Sequence, residues 1–151
     1  MRANWLAVGA MVFAAACGGG DKPADQTAAT GTPGAGTTAT GAVLEVQMTT
    51  VGADYRFVPS DIEVKVGDVV KFVNTAAVAH NVQFYADSIP AGAAAVLDAN
   101  MPNRMGPLQS NLMLAQGETY SISFAGAPKG EYHFTCLPHM ALGMHGKIAV
   151  E

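Results

Sequence analysis

Near its C-terminal end the sequence places three metal-ligating side chains within nine residues: Cys136, His139 and Met144, in the run Thr135-Cys136-Leu137-Pro138-His139-Met140-Ala141-Leu142-Gly143-Met144. One tight loop can bring a thiolate, an imidazole and a thioether so closely spaced to a single point. A second imidazole, His80, stands far upstream at the head of an apolar run, Val78-Ala79-His80-Asn81-Val82. Two imidazoles and a thiolate in a trigonal arrangement, with a weak axial thioether, are the donor set of copper sites that cycle between Cu(II) and Cu(I). Each residue alone has an ordinary explanation: Cys136 as a core thiol, Met144 as packing, His80 as a core or surface histidine. Their joint spacing is what points to a metal. Zinc is the natural rival for such a set, but structural zinc sites complete themselves with a further Cys or His. A thioether in that place favours copper.

Donors drawn from distant segments need a rigid frame, and the flanking sequence reads as β. Short runs rich in β-branched and aromatic residues alternate with turn signals. The candidate strands are Val43 to Thr49, Ile62 to Val66, Val69 to Asn74, Asn81 to Tyr85, Thr119 to Phe124, Gly130 to Thr135 and Lys147 to Val150. Breakers such as Pro59-Ser60-Asp61, Gln116-Gly117-Glu118 and Pro128-Lys129-Gly130 separate them. In Tyr132-His133-Phe134-Thr135-Cys136 the two-residue period places Tyr132 and Phe134 on the Cys136 side and His133 and Thr135 outside. Residues 86–114, with an alanine run and Met101, Met105 and Met113, fit a short helix or irregular excursion better than a strand. The fold class predicted is all-β, a sandwich or barrel. Pro138 stiffens the ligand loop by fixing its own φ.

These motifs resemble the plastocyanin branch of the cupredoxins. Cys136, His139 and Met144 match its Cys-x-x-His signature with Met five residues on, followed by the closing strand Gly146-Lys147-Ile148-Ala149-Val150. Asn74-Thr75-Ala76-Ala77-Val78-Ala79-His80-Asn81-Val82 matches its upstream ligand turn, and Phe57-Val58-Pro59-Ser60, Ile89-Pro90-Ala91-Gly92 and Gly117-Glu118-Thr119-Tyr120 read similarly. The resemblance covers roughly residues 43–151. It implies a Greek-key β-sandwich holding one copper ion through His80, Cys136, His139 and Met144, with Asn81 hydrogen-bonding across to the Cys136 loop. It further implies a monomeric electron carrier serving redox proteins such as a cytochrome and a terminal oxidase or reductase. Leu137, Met140 and Leu142 around His139 would form the apolar surface on which such partners dock. Plant plastocyanins carry acidic clusters and a Tyr before the ligand Cys. Here that position is Thr135 and Tyr85-Ala86-Asp87-Ser88 holds a single acid, so the photosynthetic partner is not carried over. His145 reads as a surface residue, the alternatives being a second copper contact or a pH-sensitive group.

A different class of function is a copper-handling protein that binds Cu(I) for delivery or storage, which Met101, Met105, Met113 and Met140 would serve. Those methionines form no tight cluster in the sequence. An enzyme is not expected. Multicopper oxidases flank the blue-copper Cys with histidines, whereas Cys136 stands between Thr135 and Leu137, and the dinuclear copper domain of respiratory oxidases needs two cysteines in the loop.

The first part of the chain is of another kind. Residues 1–17 run from Arg2 through an apolar stretch to Ala14-Ala15-Ala16-Cys17, the plan of a signal peptide whose end resembles a lipoprotein cleavage site. Lipidation of Cys17 would tether the exported protein to a membrane on the periplasmic side. Residues 18–41 are mostly Gly, Ala, Thr, Pro and Asp with no large apolar side chain, a linker that as a random coil would reach on the order of 25 Å. Residues 42–151 then form the copper-binding domain. With a formal net charge of -4 and no basic patch, nucleic acid is excluded as a partner.

Overall fold

The computed structural model describes residues 41–151; the expected signal peptide with Cys17, and the linker before Gly41, lie outside them. Among the described residues, eight strands build two four-stranded sheets. In the first sheet, β1 (Val43–Val51) pairs antiparallel with β2 (Asp54–Val58) and parallel with β4 (Val69–Asn74), and β4 pairs antiparallel with β6 (Thr119–Ser123). In the second, β8 (His145–Val150) lies between β3 (Asp61–Val64), to which it is parallel, and β7 (Gly130–Thr135). β7 also pairs with β5, reduced to Gln83–Phe84. Strands distant in sequence are thus neighbours, β1 beside β4 and β3 beside β8, as in Greek-key sandwiches. The expected all-β sandwich is the fold observed.

Alternation along the strands fills the space between the sheets. Val46 and Met48 of β1, Val70 and Phe72 of β4, and Tyr132 and Phe134 of β7 all point inward and are fully buried. At the centre Phe57, Phe72 and Phe134 meet edge to face, with ring centroids 4.8–5.9 Å apart, and Phe84 lies 5.9 Å from Phe134. Rings from both sheets interlock there, each such pair adding about 0.5–1.5 kcal/mol beyond the area it buries.

Between β5 and β6 the chain makes the predicted excursion. Helix α1 (Ala93–Asn100) turns Ala93 and Leu97 into the core. Asp98 ties down the return path by accepting the Leu108 N–H at 2.7 Å and pairing with Arg104 at 3.0 Å.

Three features depart from the sequence reading. β2 was not expected, although Gly52-Ala53, with Gly52 at φ 65°, is a two-residue hairpin connection of the kind that marks one. The strand expected over Asn81 to Tyr85 shrinks to Gln83–Phe84 because the excursion takes its hydrogen bonds. Val82 exchanges bonds with Ser110, and His80 with Met113. Thr135, expected outside, is fully buried: Gln83 and His145 flank it in register, and its hydroxyl donates to the Met144 carbonyl at 2.9 Å.

Gly146 stands directly opposite Phe134 in the β7–β8 pair. A Cβ there would run into the Phe134 ring, at 2.8 Å from Cε2 and 2.9 Å from Cε1 and closer still to Cζ. That ring is held by its aromatic neighbours and cannot swing aside. Gly146→Ala is therefore expected to cost about 1–3 kcal/mol, read as a lowered urea midpoint; an unchanged midpoint would show that the aromatic centre yields.

Candidate metal centre

Two segments converge at one end of the sandwich. β4 ends in Asn74, whose buried side chain organises the turn that follows. Its Nδ2 donates to the carbonyls of Val78 and Met113 at 2.9 and 3.1 Å, and its Oδ1 accepts the Ala76 N–H at 3.1 Å. The turn delivers His80, fully buried, with its backbone bonded in both directions to Met113.

The other segment leaves β7 at Cys136 and winds through a 3-10 turn, Leu137–Leu142, with Pro138 in its first residues and Gly143 closing it at φ 78°. Glycine is the residue that takes up this left-handed conformation without strain. The loop is stitched onto Met144: the Met144 carbonyl accepts from Cys136 N–H at 3.1 Å and Thr135 Oγ1 at 2.9 Å, and the Met144 N–H donates to His139 O at 3.3 Å. Across the two segments the Leu137 N–H donates to Asn81 Oδ1 at 2.8 Å.

At the convergence, Nδ1 of His80 lies 3.5 Å and Nδ1 of His139 3.4 Å from Cys136 Sγ, and the ligating atoms of the three fall within 4.8 Å of one another. His80, Cys136 and Met144 are fully buried; His139 keeps 9% of its surface exposed. Burial pushes the His80 pKa down to about 4, with the neighbouring His139 adding to the effect, and lowers that of His139 as well. Burial also pushes the Cys136 thiol up, opposed by N–H groups of Asn81 and His139. Both imidazoles are therefore neutral at pH 7, each with a lone pair to offer.

The donor set fits a copper ion. His80 is buried with no hydrogen-bond partner at Nε2 and only the Cys136 sulfur beside Nδ1. Nδ1, which faces only that sulfur, forfeits its hydration unless a bond replaces it, and a metal there supplies one. The raised thiol likewise calls for a nearby cation to favour its thiolate.

The family model described as copper-binding proteins of the plastocyanin/azurin family matches residues 44–151. The chain belongs to this family. Plastocyanin of Vicia faba is 38% identical over 107 residues, covering 71% of this chain and 99% of that one. The chloroplastic plastocyanin of Pisum sativum is also 38% identical over 107 residues, and there the matched region spans 58% of the relative's length. Among solved structures, oxidised plastocyanin from Dryopteris crassirhizoma shares the fold with a TM-score of 0.53 at 24% identity, over 72% of this chain and 100% of that one. An oxidised amicyanin variant gives 0.51 at 26% identity, over 72% and 81%. Cupredoxins of this family bind one copper, and His80, Cys136, His139 and Met144 form the candidate site for it.

The remaining residues singled out in the sequence lie around this centre. Leu137, Met140 and Leu142 are 39%, 44% and 61% exposed beside His139. His133 is a solvated strand residue, 3.5 Å from Glu131. His145 is exposed, with Nδ1 3.1 Å from the Tyr85 hydroxyl rather than in the donor cluster. Sequence reasoning assigned no role to Asn74 and missed Tyr55 of β2, whose ring stacks on His139 with centroids 3.8 Å apart and planes 14° from parallel. The Gly52-Ala53 turn was the signal that could have placed it.

Removing the Asn81 side chain leaves the Leu137 N–H without its partner. Asn81→Ala is expected to lower stability by about 1–2 kcal/mol and to weaken copper retention roughly ten- to a hundredfold. Denaturant titration and competition with a chelator read the two effects, and unchanged retention would relegate Asn81 to a turn residue.

Proposed function

We propose that this protein carries single electrons between redox proteins, such as a cytochrome and a terminal oxidase or reductase, on the outer side of a bacterial cytoplasmic membrane. The observation that carries this reading is the convergence of His80 Nδ1, His139 Nδ1 and Cys136 Sγ in a buried pocket of a chain from the plastocyanin/azurin family.

Copper held there supplies a one-electron couple. The chain's own contribution is to keep the donors still. Asn81 pins the Leu137 backbone, Thr135 and Cys136 pin Met144, and Asn74 pins the His80 turn. A donor set that moves little when charge changes keeps the reorganisation energy of electron transfer low. Burial of His80, Cys136 and Met144 excludes water from the pocket. His139 alone of the four reaches solvent, and the exposed Leu137, Met140 and Leu142 beside it suit brief apolar docking.

Copper delivery or storage finds less support. Met101 and Met113 are packed in the core rather than presented to a metal, leaving Met105 and Met140 exposed. The full chain loaded with Cu(II) is expected to show an intense visible charge-transfer band from the thiolate. The band bleaches with reductant, returns with oxidant, and is abolished by Cys136→Ser. A colourless protein that holds copper only as Cu(I), or yields it readily to a competitor, would establish delivery instead.

Location at the membrane is proposed from Ala14-Ala15-Ala16-Cys17 and the linker that follows. Among the described residues no helix is long and apolar enough to cross a membrane; on this reading a lipid on Cys17 retains the protein. In fractionated cells Cys17→Ser is expected to move the protein from the membrane to the soluble fraction; identical partitioning of both forms would refute the tether.

A further inference from the structure

His139 is the most exposed of the candidate ligands. Its backbone sits at a kink, φ −121° and ψ 15°, between two short turns; its N–H donates to Cys136 O at 3.0 Å and its O accepts from Met144 N–H at 3.3 Å, bonds that hold the backbone and leave the ring to be supported from elsewhere. Its neighbours along the loop, Leu137, Met140 and Leu142, are exposed and do not enclose the ring. The His80 ring is 4.7 Å away but tilted by 56°, and offers an edge rather than a flat support.

The flat support comes from the other sheet. Tyr55 lies on β2, an edge strand of the first sheet, whereas Cys136, His139 and Met144 follow from β7 of the second. Alternation along β2 turns Tyr55 and Phe57 inward together, and Phe57 is anchored on Phe72 and Phe134. The Tyr55 ring is thereby held parallel to the His139 imidazole at 3.8 Å, while its edge faces His80 at 6.1 Å and 67°. Rotating His139 out of its present plane would break that stack while Nδ1 moves away from Cys136 Sγ.

We propose that Tyr55 is a positioning residue that holds the His139 imidazole ready to bind the metal. The phenol hydroxyl is not needed for this; the planar π face is. An imidazole that shares the charge of a bound cation is also better accommodated against an electron-rich face than against an aliphatic side chain. The effect on metal retention rests on the copper reading above, whereas the stack itself does not.

The test separates the two. In the full chain stripped of metal, the ring protons of His139 are expected to resonate upfield through the ring current of Tyr55. Tyr55→Phe keeps that shift and Tyr55→Leu, which fills similar volume without a π face, abolishes it; Tyr55→Met serves the same purpose should the Leu variant not fold. With copper bound, the Leu or Met variant is expected to lose the metal to a chelator roughly two- to tenfold faster than wild type, and Phe to stay within about twofold. Unshifted His139 resonances in the wild type, or a Leu or Met variant that retains copper as wild type does, would overturn the proposal. A wild type that takes up no copper would instead sink the electron-carrier reading, with the metal-free spectra still deciding the role of Tyr55.

Discussion

The bond from the Leu137 N–H to Asn81 Oδ1 joins two loops that stand 56 residues apart in the chain, and the metal centre depends on it. His80 belongs to one loop and Cys136, His139 and Met144 to the other. Neither loop can be placed by its own sequence, because a sulfur and two imidazoles make no strong contact with one another without a metal. The frame must therefore set the geometry beforehand. The sandwich does so by ending β4 and β7 at the same end and closing the gap with short, buried or partly buried bonds to backbone groups.

Some polar groups are left short of partners by this arrangement. Nε2 of His80 and Nδ2 of Asn81 are buried with no hydrogen-bond partner in the protein, and a polar group buried with neither protein nor water as partner costs about 1–3 kcal/mol. The interlocked aromatic core supplies the packing of the frame. The apolar frame and the polar centre thus occupy different layers of the molecule, and at Gly146 a missing Cβ lets Phe134 pack directly against β8.

That division explains what could be read from the sequence. The meeting of Cys136 and His139 was legible because the chemistry is local and one turn unites them; in the strand read as Ile62 to Val66, alternation reported the burial of Ile62 and Val64 but not the exposure of Val66, which lies past the end of β3. The shortening of β5 was not, since it depends on Ser110 and Met113, far along the chain, capturing bonds that a neighbouring strand would otherwise take. Thr135 was misplaced because the two-residue period gives the face of a side chain but not what flanks it, here Gln83 and His145. Tyr55 was invisible for a related reason. Its contact with His139 is set by how the sheets face each other, which no spacing within β2 encodes.

The distribution of charge completes the picture. Asp68 is the one buried carboxylate among the described residues, accepting the N–H groups of Ala42 and Lys65 at 2.8 Å each. It lies at the start of β4, and Asn74 at the end, so strand geometry separates them by roughly 20 Å. At the metal end the other buried polar side chains are Asn74, Asn81, Ser110 and Thr135, all uncharged. The described ion pairs, such as Lys147 with Glu131 and Arg56 with Asp54, lie on partly exposed or exposed side chains where solvent screens them. A centre that changes by one charge would shift the protonation of any buried ionisable group nearby and so couple electron movement to proton movement. By holding its ligands with neutral hydrogen bonds and keeping its buried carboxylate at the opposite end, the fold limits that coupling to the ligands themselves.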